Sequence, residues 1–161
     1  MIGETTKEQE KYTQVFFIED NNSRIRVLFQ EIAEHDMKER HYIMTPVATD
    51  LDHFLTFKDR MNSTLIVIDM HMEKSKLDAV VKYLAENKIK IPVAFINASV
   101  VEREKIEIEG MNSLNYVLYY EPPMHCNGLM KLIAEIKKDK EYPFSFKPDF
   151  REPCDLNDLR D

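Results

Sequence analysis

The sequence predicts a doubly wound α/β domain built on a five-stranded parallel sheet of strand order 2-1-3-4-5. Short apolar runs, rich in β-branched and aromatic residues, recur along the chain and are continuous rather than alternating. Runs of this kind suit strands that are buried on both faces, as in a parallel sheet covered by helices. Segments of helical period lie between the runs, which gives the alternating βαβ order of a doubly wound fold.

The predicted strands differ in strength. The four clear apolar runs lie at residues 15–18, 65–68, 93–96 and 116–119. The remaining strand, within residues 42–48, is weaker and carries Pro46. Because proline has no backbone N–H to donate to a strand ladder, we expect this strand at an edge of the sheet. The order 2-1-3-4-5 places it at an edge.

The helices are predicted from apolar residues that recur on one face. They are expected at residues 23–35, 50–61, around 77–84 and around 129–136. Asn22 or Ser23 is a natural N-cap for the first of them. The mostly charged segment 101–110 predicts a weak or irregular helix.

A single domain is expected at residues 14–137, after a polar N-terminal extension at 1–13. The C-terminal segment, residues 138–161, mixes prolines and phenylalanines with charged residues and has neither a helical nor a strand period. We expect this tail either to cover the domain or to bind a partner.

Composition excludes several classes of function. The net charge of −7 disfavours nucleic acid and anionic membrane surfaces as partners. Three glycines in 161 residues exclude the glycine-rich loops of dinucleotide and P-loop sites. The N-terminal residues lack the apolar segment of a signal peptide, and no apolar run is long enough to span a membrane. Two well-separated cysteines do not resemble a disulfide framework, so a reduced cytoplasmic compartment is expected.

Acidic residues follow two of the predicted strands. Glu19 and Asp20 come after the first strand, and Asp69 ends the third. In open α/β sheets, ligands bind at the carboxyl ends of the strands where the strand order reverses, so these acids are expected in one pocket. Their oxygens suit Mg²⁺, and a metal-assisted carboxylate such as Asp69 is able to attack a phosphoryl group. The alternative for each acid alone is an N-cap or turn residue.

Residues 14–137 resemble the receiver domain of two-component response regulators, a CheY-like, flavodoxin-like fold. Residues 17–21 are similar to the family's strand-one acidic pair. Residues 65–72 are similar to its strand-three motif, in which the aspartate is phosphorylated and a methionine follows three positions later. Residues 91–98 look like strand four, and Glu121-Pro122 looks like the lysine-proline step after strand five.

The resemblance implies a role for each matching residue. Asp69 takes the phosphoacceptor position, and Mg²⁺ is implied on Glu19, Asp20, Asp69 and the backbone carbonyl of His71, whose side chain is expected to be exposed. Two positions depart from the family. Asn97 replaces the usual Thr or Ser, for which Ser99 could substitute only if the loop shifts. Glu121, or Tyr119 if the gap is placed earlier, replaces the lysine that pairs with the phosphoryl oxygens. The site is therefore expected to keep its metal ligands and to lack the hydroxyl and the lysine that hold the phosphoryl group.

These features predict a non-enzymatic signalling module that acts through a protein partner. The loss of the hydroxyl and the lysine favours a pseudo-receiver, in which the partner recognises a fixed or differently triggered surface. One alternative is a phosphorelay protein whose Asp69 is phosphorylated by a histidine kinase with Mg²⁺. A second is a small Mg²⁺-dependent phosphohydrolase, which is disfavoured because His71 stands where a second acid is expected. A third is a flavodoxin-like binding domain whose acids are accidental.

Overall fold

The computed structural model describes residues 12–21, 25–39, 42–101, 106, 108–138 and 149–151. The predicted N-cap, Asn22 or Ser23, and most of the N-terminal extension lie outside the described residues. Within the described residues, no helix is both long enough and apolar enough to cross a membrane.

Among the described residues, seven strands form one parallel sheet with the order β2-β1-β4-β5-β6-β7, and β3 also pairs with β1. The strands are β1 (Tyr12–Ile18), β2 (Tyr42–Met44), β3 (Val47–Ala48), β4 (Leu65–Asp69), β5 (Val93–Ala98), β6 (Tyr116–Tyr120) and β7 (Asp149–Arg151). The predicted α/β class with a parallel sheet is confirmed, whereas the predicted five-stranded order 2-1-3-4-5 is wrong in both count and order.

The strand count differs partly because the predicted second strand is broken in two. Pro46 lies between β2 and β3, and its carbonyl accepts a hydrogen bond from Phe17 N–H at 2.9 Å. Both pieces pair with β1, so the proline-containing segment lies at an edge, where a missing N–H costs little.

The second reason for the higher strand count is β7, which pairs with β6 at the opposite edge of the sheet. The sequence indicated no strand in the C-terminal tail, and the three residues that pair in its described part are too few to display a period. Arg151 holds the strand to helix α4 (Cys126–Lys138): its Nη1 lies 2.8 Å from Glu135 Oε2. Phe150 packs edge-on against Tyr116, with 6.4 Å between ring centroids.

In the part of the chain that the structure describes, three more helices and two short 3-10 helices connect the strands. They are α1 (Arg26–Glu39), α2 (Leu51–Thr56) and α3 (Lys74–Glu86), and the 3-10 helices are Arg60–Asn62 and Met111–Ser113. The first helix thus ends later than predicted, and the predicted helix 50–61 ends at Thr56 before a separate 3-10 turn. The described part of 101–110 contains no helix, and Ile106 and Ile108 pack against the core from irregular backbone.

Apolar residues fill both faces of the sheet. Phe16 and Phe17 belong to different core clusters because successive side chains of a strand point to opposite faces. The Phe16 face is covered by α2 and α3, and the Phe17 face by α1 and α4. This two-sided burial explains why the strands are continuous apolar runs, and it leaves the strand ends as the place for polar side chains.

Candidate functional site

The candidate site lies at the carboxyl ends of β1, β4, β5 and β6. β1 and β4 pair directly, with Ile18 opposite Ile68. Glu19 follows Ile18 and Asp69 follows Ile68, so the two acids emerge from neighbouring strands. The sheet grows to one side of β1 through β2 and β3, and to the other side through β4. This reversal is where open α/β sheets carry their ligand sites.

Each of the three acids accepts a hydrogen bond from the backbone of a loop. Asp69 is 1% exposed, and its Oδ1 accepts from His71 N–H at 2.9 Å. Glu19 is also 1% exposed, and its Oε1 accepts from Asn21 N–H at 3.0 Å. Asp20 is only partly buried, and its Oδ2 accepts from Glu73 N–H at 3.1 Å. The acids thus fix the loops that follow β1 and β4.

The carboxylate oxygens are of the type that Mg²⁺ prefers. Among the residues that the structure describes, however, no three His, Cys, Asp or Glu side chains are grouped so that they could hold a metal ion. The hydrogen bonds to Asn21, His71 and Glu73 turn the acids towards different amides. As arranged, Glu19, Asp20 and Asp69 do not fit a metal ion, and the implied Mg²⁺ remains a prediction.

Asn97 lies next to Asp69, near the end of β5. Its side chain is 7% exposed, and its Nδ2 is 3.4 Å from Asp69 Oδ1, a long and therefore weak hydrogen bond. Its Oδ1 is buried and has no hydrogen-bond partner among the described residues. Its backbone φ is +62°, a left-handed conformation that asparagine tolerates better than most residues. The sequence position was predicted, but neither the conformation nor the partnerless oxygen follows from it.

Glu121 follows β6 and faces His71 across the end of β5. The backbone N–H of Glu121 donates to the Ala98 carbonyl at 2.9 Å, which fixes the start of the loop. Its Oε1 lies 2.6 Å from His71 Nε2, and both side chains are partly exposed. The pair joins the loop after β4 to the loop after β6 and passes beside Asn97. The sequence did not indicate this pair, although Glu121 directly follows β6, His71 lies two residues after β4, and both strands end at the same edge.

An open cavity of about 490 Å³ lies beside this pair. It is lined by His71, Asn97, Glu121, Pro122 and Pro123. The lining therefore combines a carboxylate, an imidazole and an amide with two apolar proline rings. None of these lining residues is Lys or Arg.

A second polar group joins α1 to α4. Glu31 Oε2 lies 3.0 Å from His125 Nδ1, and Glu31 Oε1 accepts from Cys126 N–H at 3.1 Å. Burial, together with the nearby charges of Glu31 and Asp36, raises the pKa of the Cys126 thiol from 9.0 to about 11. The thiolate is therefore disfavoured, which makes Cys126 a poor nucleophile.

The sequence matches no known protein-family model and no curated protein.

Proposed function

We propose that this chain is a receiver-like signalling module that lacks working phosphoryl chemistry and acts by binding another protein. The proposal treats β2 and β3 as one edge strand beside β1, followed by β4, β5 and β6 in a flavodoxin-like arrangement. In this reading β7 is an addition at the far edge.

The observation that carries the proposal is the contact of Glu121 with His71, at 2.6 Å, beside Asn97 and Asp69. A phosphoryl group on Asp69 would bring negative charge towards a carboxylate that stands where the resemblance expects a lysine. Like charges at short range repel, and the cavity lining contains no Lys or Arg to offset the charge of Glu121. The Asn97 amide is a weaker substitute for a hydroxyl, because its Nδ2 already contacts Asp69. The acidic surface, with a net charge of −7, supports a protein partner rather than nucleic acid or an anionic membrane.

The second candidate is a phosphorylatable regulator, a substrate of a histidine kinase that uses Mg²⁺. It is favoured by the place of Asp69, which is buried at the end of β4 beside Glu19. It requires the loops after β1 and β4 to bring the carboxylates together before a metal binds, because the described residues contain no group of acids that could hold one. We rank it second for that reason.

Incubation with acetyl phosphate and Mg²⁺ tests the proposal, with intact-protein mass as the readout. We expect no mass increase that depends on Asp69, and Asp69→Asn should behave like the unaltered chain. Stoichiometric phosphorylation that disappears in Asp69→Asn would overturn the proposal in favour of the second candidate.

A further inference from the structure

We propose that the cavity beside Glu121 binds a lysine side chain that a partner protein inserts. This inference rests on the proposed function, because it names the chemistry by which the partner is recognised. It starts from the lining of the cavity, His71, Asn97, Glu121, Pro122 and Pro123.

The polar residues of the lining favour a ligand group that donates hydrogen bonds and carries a positive charge. Glu121 supplies a carboxylate whose Oε1 faces His71, which leaves Oε2 for a ligand, since a carboxylate accepts several hydrogen bonds. Behind Asn97 lies the buried carboxylate of Asp69. These carboxylates would repel an anion, whereas they would attract an ammonium group.

Asn97 gives the second, independent indication of a ligand. Its side chain is more than nine-tenths buried and lines the cavity, and its Oδ1 has no hydrogen-bond partner among the described residues. A buried acceptor without a donor is costly, so a ligand that supplies the donor regains that free energy. Oδ1 is itself buried, so a donor reaches it when the terminal amide rotates. The rotation gives up the 3.4 Å contact of Nδ2 with Asp69 Oδ1.

The shape of the cavity favours lysine over arginine. Pro122 and Pro123 are exposed apolar rings on the rim, against which an aliphatic stem packs while its charged end reaches Glu121. Arginine recognises a carboxylate best through two parallel hydrogen bonds, but His71 already occupies one oxygen of Glu121. A compact ammonium group needs only the remaining oxygen.

A peptide titration followed by ¹H–¹⁵N NMR tests the inference. The probe is acetyl-Gly-Lys-Gly-amide, and the comparison peptides carry Gln or Arg in place of Lys. We expect saturable shifts of the His71, Asn97 and Glu121 amides with the lysine peptide, weaker shifts with the arginine peptide, and none with the glutamine peptide.

Variants separate the pocket from general attraction to an acidic surface. Glu121→Gln and Asn97→Gly should each weaken lysine-peptide binding by about three- to tenfold, because each removes one acceptor. Glycine keeps the positive φ at position 97, so this variant should fold. Glu34→Gln, an exposed charge change on α1, is the matched control and should bind like the unaltered chain.

Three outcomes would overturn the inference: no saturable shift with the lysine peptide, equal weakening by Glu34→Gln, or arginine binding as tightly as lysine. Its failure is distinguishable from failure of the proposed function. If acetyl phosphate does not phosphorylate the chain and the lysine peptide does not bind it, only the inference is refuted. A chain that binds the peptide and is also phosphorylated on Asp69 refutes only the proposed function.

Discussion

His71 Nε2 lies 2.6 Å from Glu121 Oε1 and joins the loops that follow β4 and β6. These residues are fifty positions apart in the sequence. Glu121 directly follows β6 and His71 lies two residues after β4, and these strands end at the same edge of the sheet with β5 between them. The contact therefore spans the carboxyl end of β5, beside the buried Asn97.

The His71–Glu121 contact is expected to contribute little to global stability. Both side chains are about two-fifths exposed, so solvent screens the interaction, and a double-mutant cycle should give a coupling below about 1 kcal/mol. Urea unfolding of His71→Ala, Glu121→Ala and the double variant measures this coupling. A coupling of several kcal/mol would show that the contact serves to stabilise the fold rather than to form part of a binding surface.

The left-handed backbone of Asn97 makes a second prediction. Asn97→Ala should be destabilised relative to Asn97→Gly by about 1–2 kcal/mol, because a Cβ is unfavourable at a φ of +62°. Chemical unfolding of the two variants gives the difference directly. Equal stability would mean that position 97 adopts an ordinary backbone conformation.

The third prediction concerns Mg²⁺. Because Glu19, Asp20 and Asp69 do not form a group that could hold a metal ion among the described residues, we expect the same melting temperature in millimolar Mg²⁺ and in EDTA. A ligand that binds only the folded chain would raise that temperature. A Mg²⁺-dependent rise that Asp20→Asn abolishes would contradict this expectation and restore the predicted metal site.

The Cys126 thiol should make stability fall in alkaline solution. Its pKa is raised from 9.0 to about 11 in the folded chain, so folding favours the neutral thiol. Its contribution to stability is fully present below pH 9.0 and is lost as the pH rises towards about 11.

Alkylation with iodoacetamide in a Cys154→Ser background measures this protection. We expect negligible labelling of Cys126 in the native chain at pH 9 and rapid labelling in denaturant, because only the unfolded thiol ionises there. Rapid labelling of the native chain at that pH would show that the thiol is exposed or ionised.

The apolar pattern of the sequence was sufficient to predict the parallel α/β class. Phe16 and Phe17 lie on opposite faces of β1 and are both buried, which is the physical origin of the continuous runs. Pro46 predicted an edge strand, but not that the strand would break into β2 and β3. β7 was missed because Asp149–Arg151 carries one apolar residue, and its pairing depends on tertiary contacts such as Arg151 with Glu135.

The candidate site was predictable in position but not in detail. Residues that follow parallel strands lie at one edge, so the placement of Glu19, Asp69, Asn97 and Glu121 follows from topology. Which hydrogen-bond partner each carboxylate selects depends on loop conformation, and the sequence carries no periodic signal for it. The contact between Glu121 and His71 is one of these features that depend on loop conformation.

The most direct test of the central claim is a beryllofluoride titration in Mg²⁺, followed by NMR shifts of residues near Asp69. Beryllofluoride mimics an aspartyl phosphate, and Glu121 opposes its charge while Asn97 offers a single amide donor. Losing one charge-assisted hydrogen bond costs about 1.5–3 kcal/mol, so weak binding without saturation is expected. Glu121→Lys combined with Asn97→Thr should recover much of the binding. Tight, saturable binding by the unaltered chain would contradict the account and indicate a working phosphorylation switch.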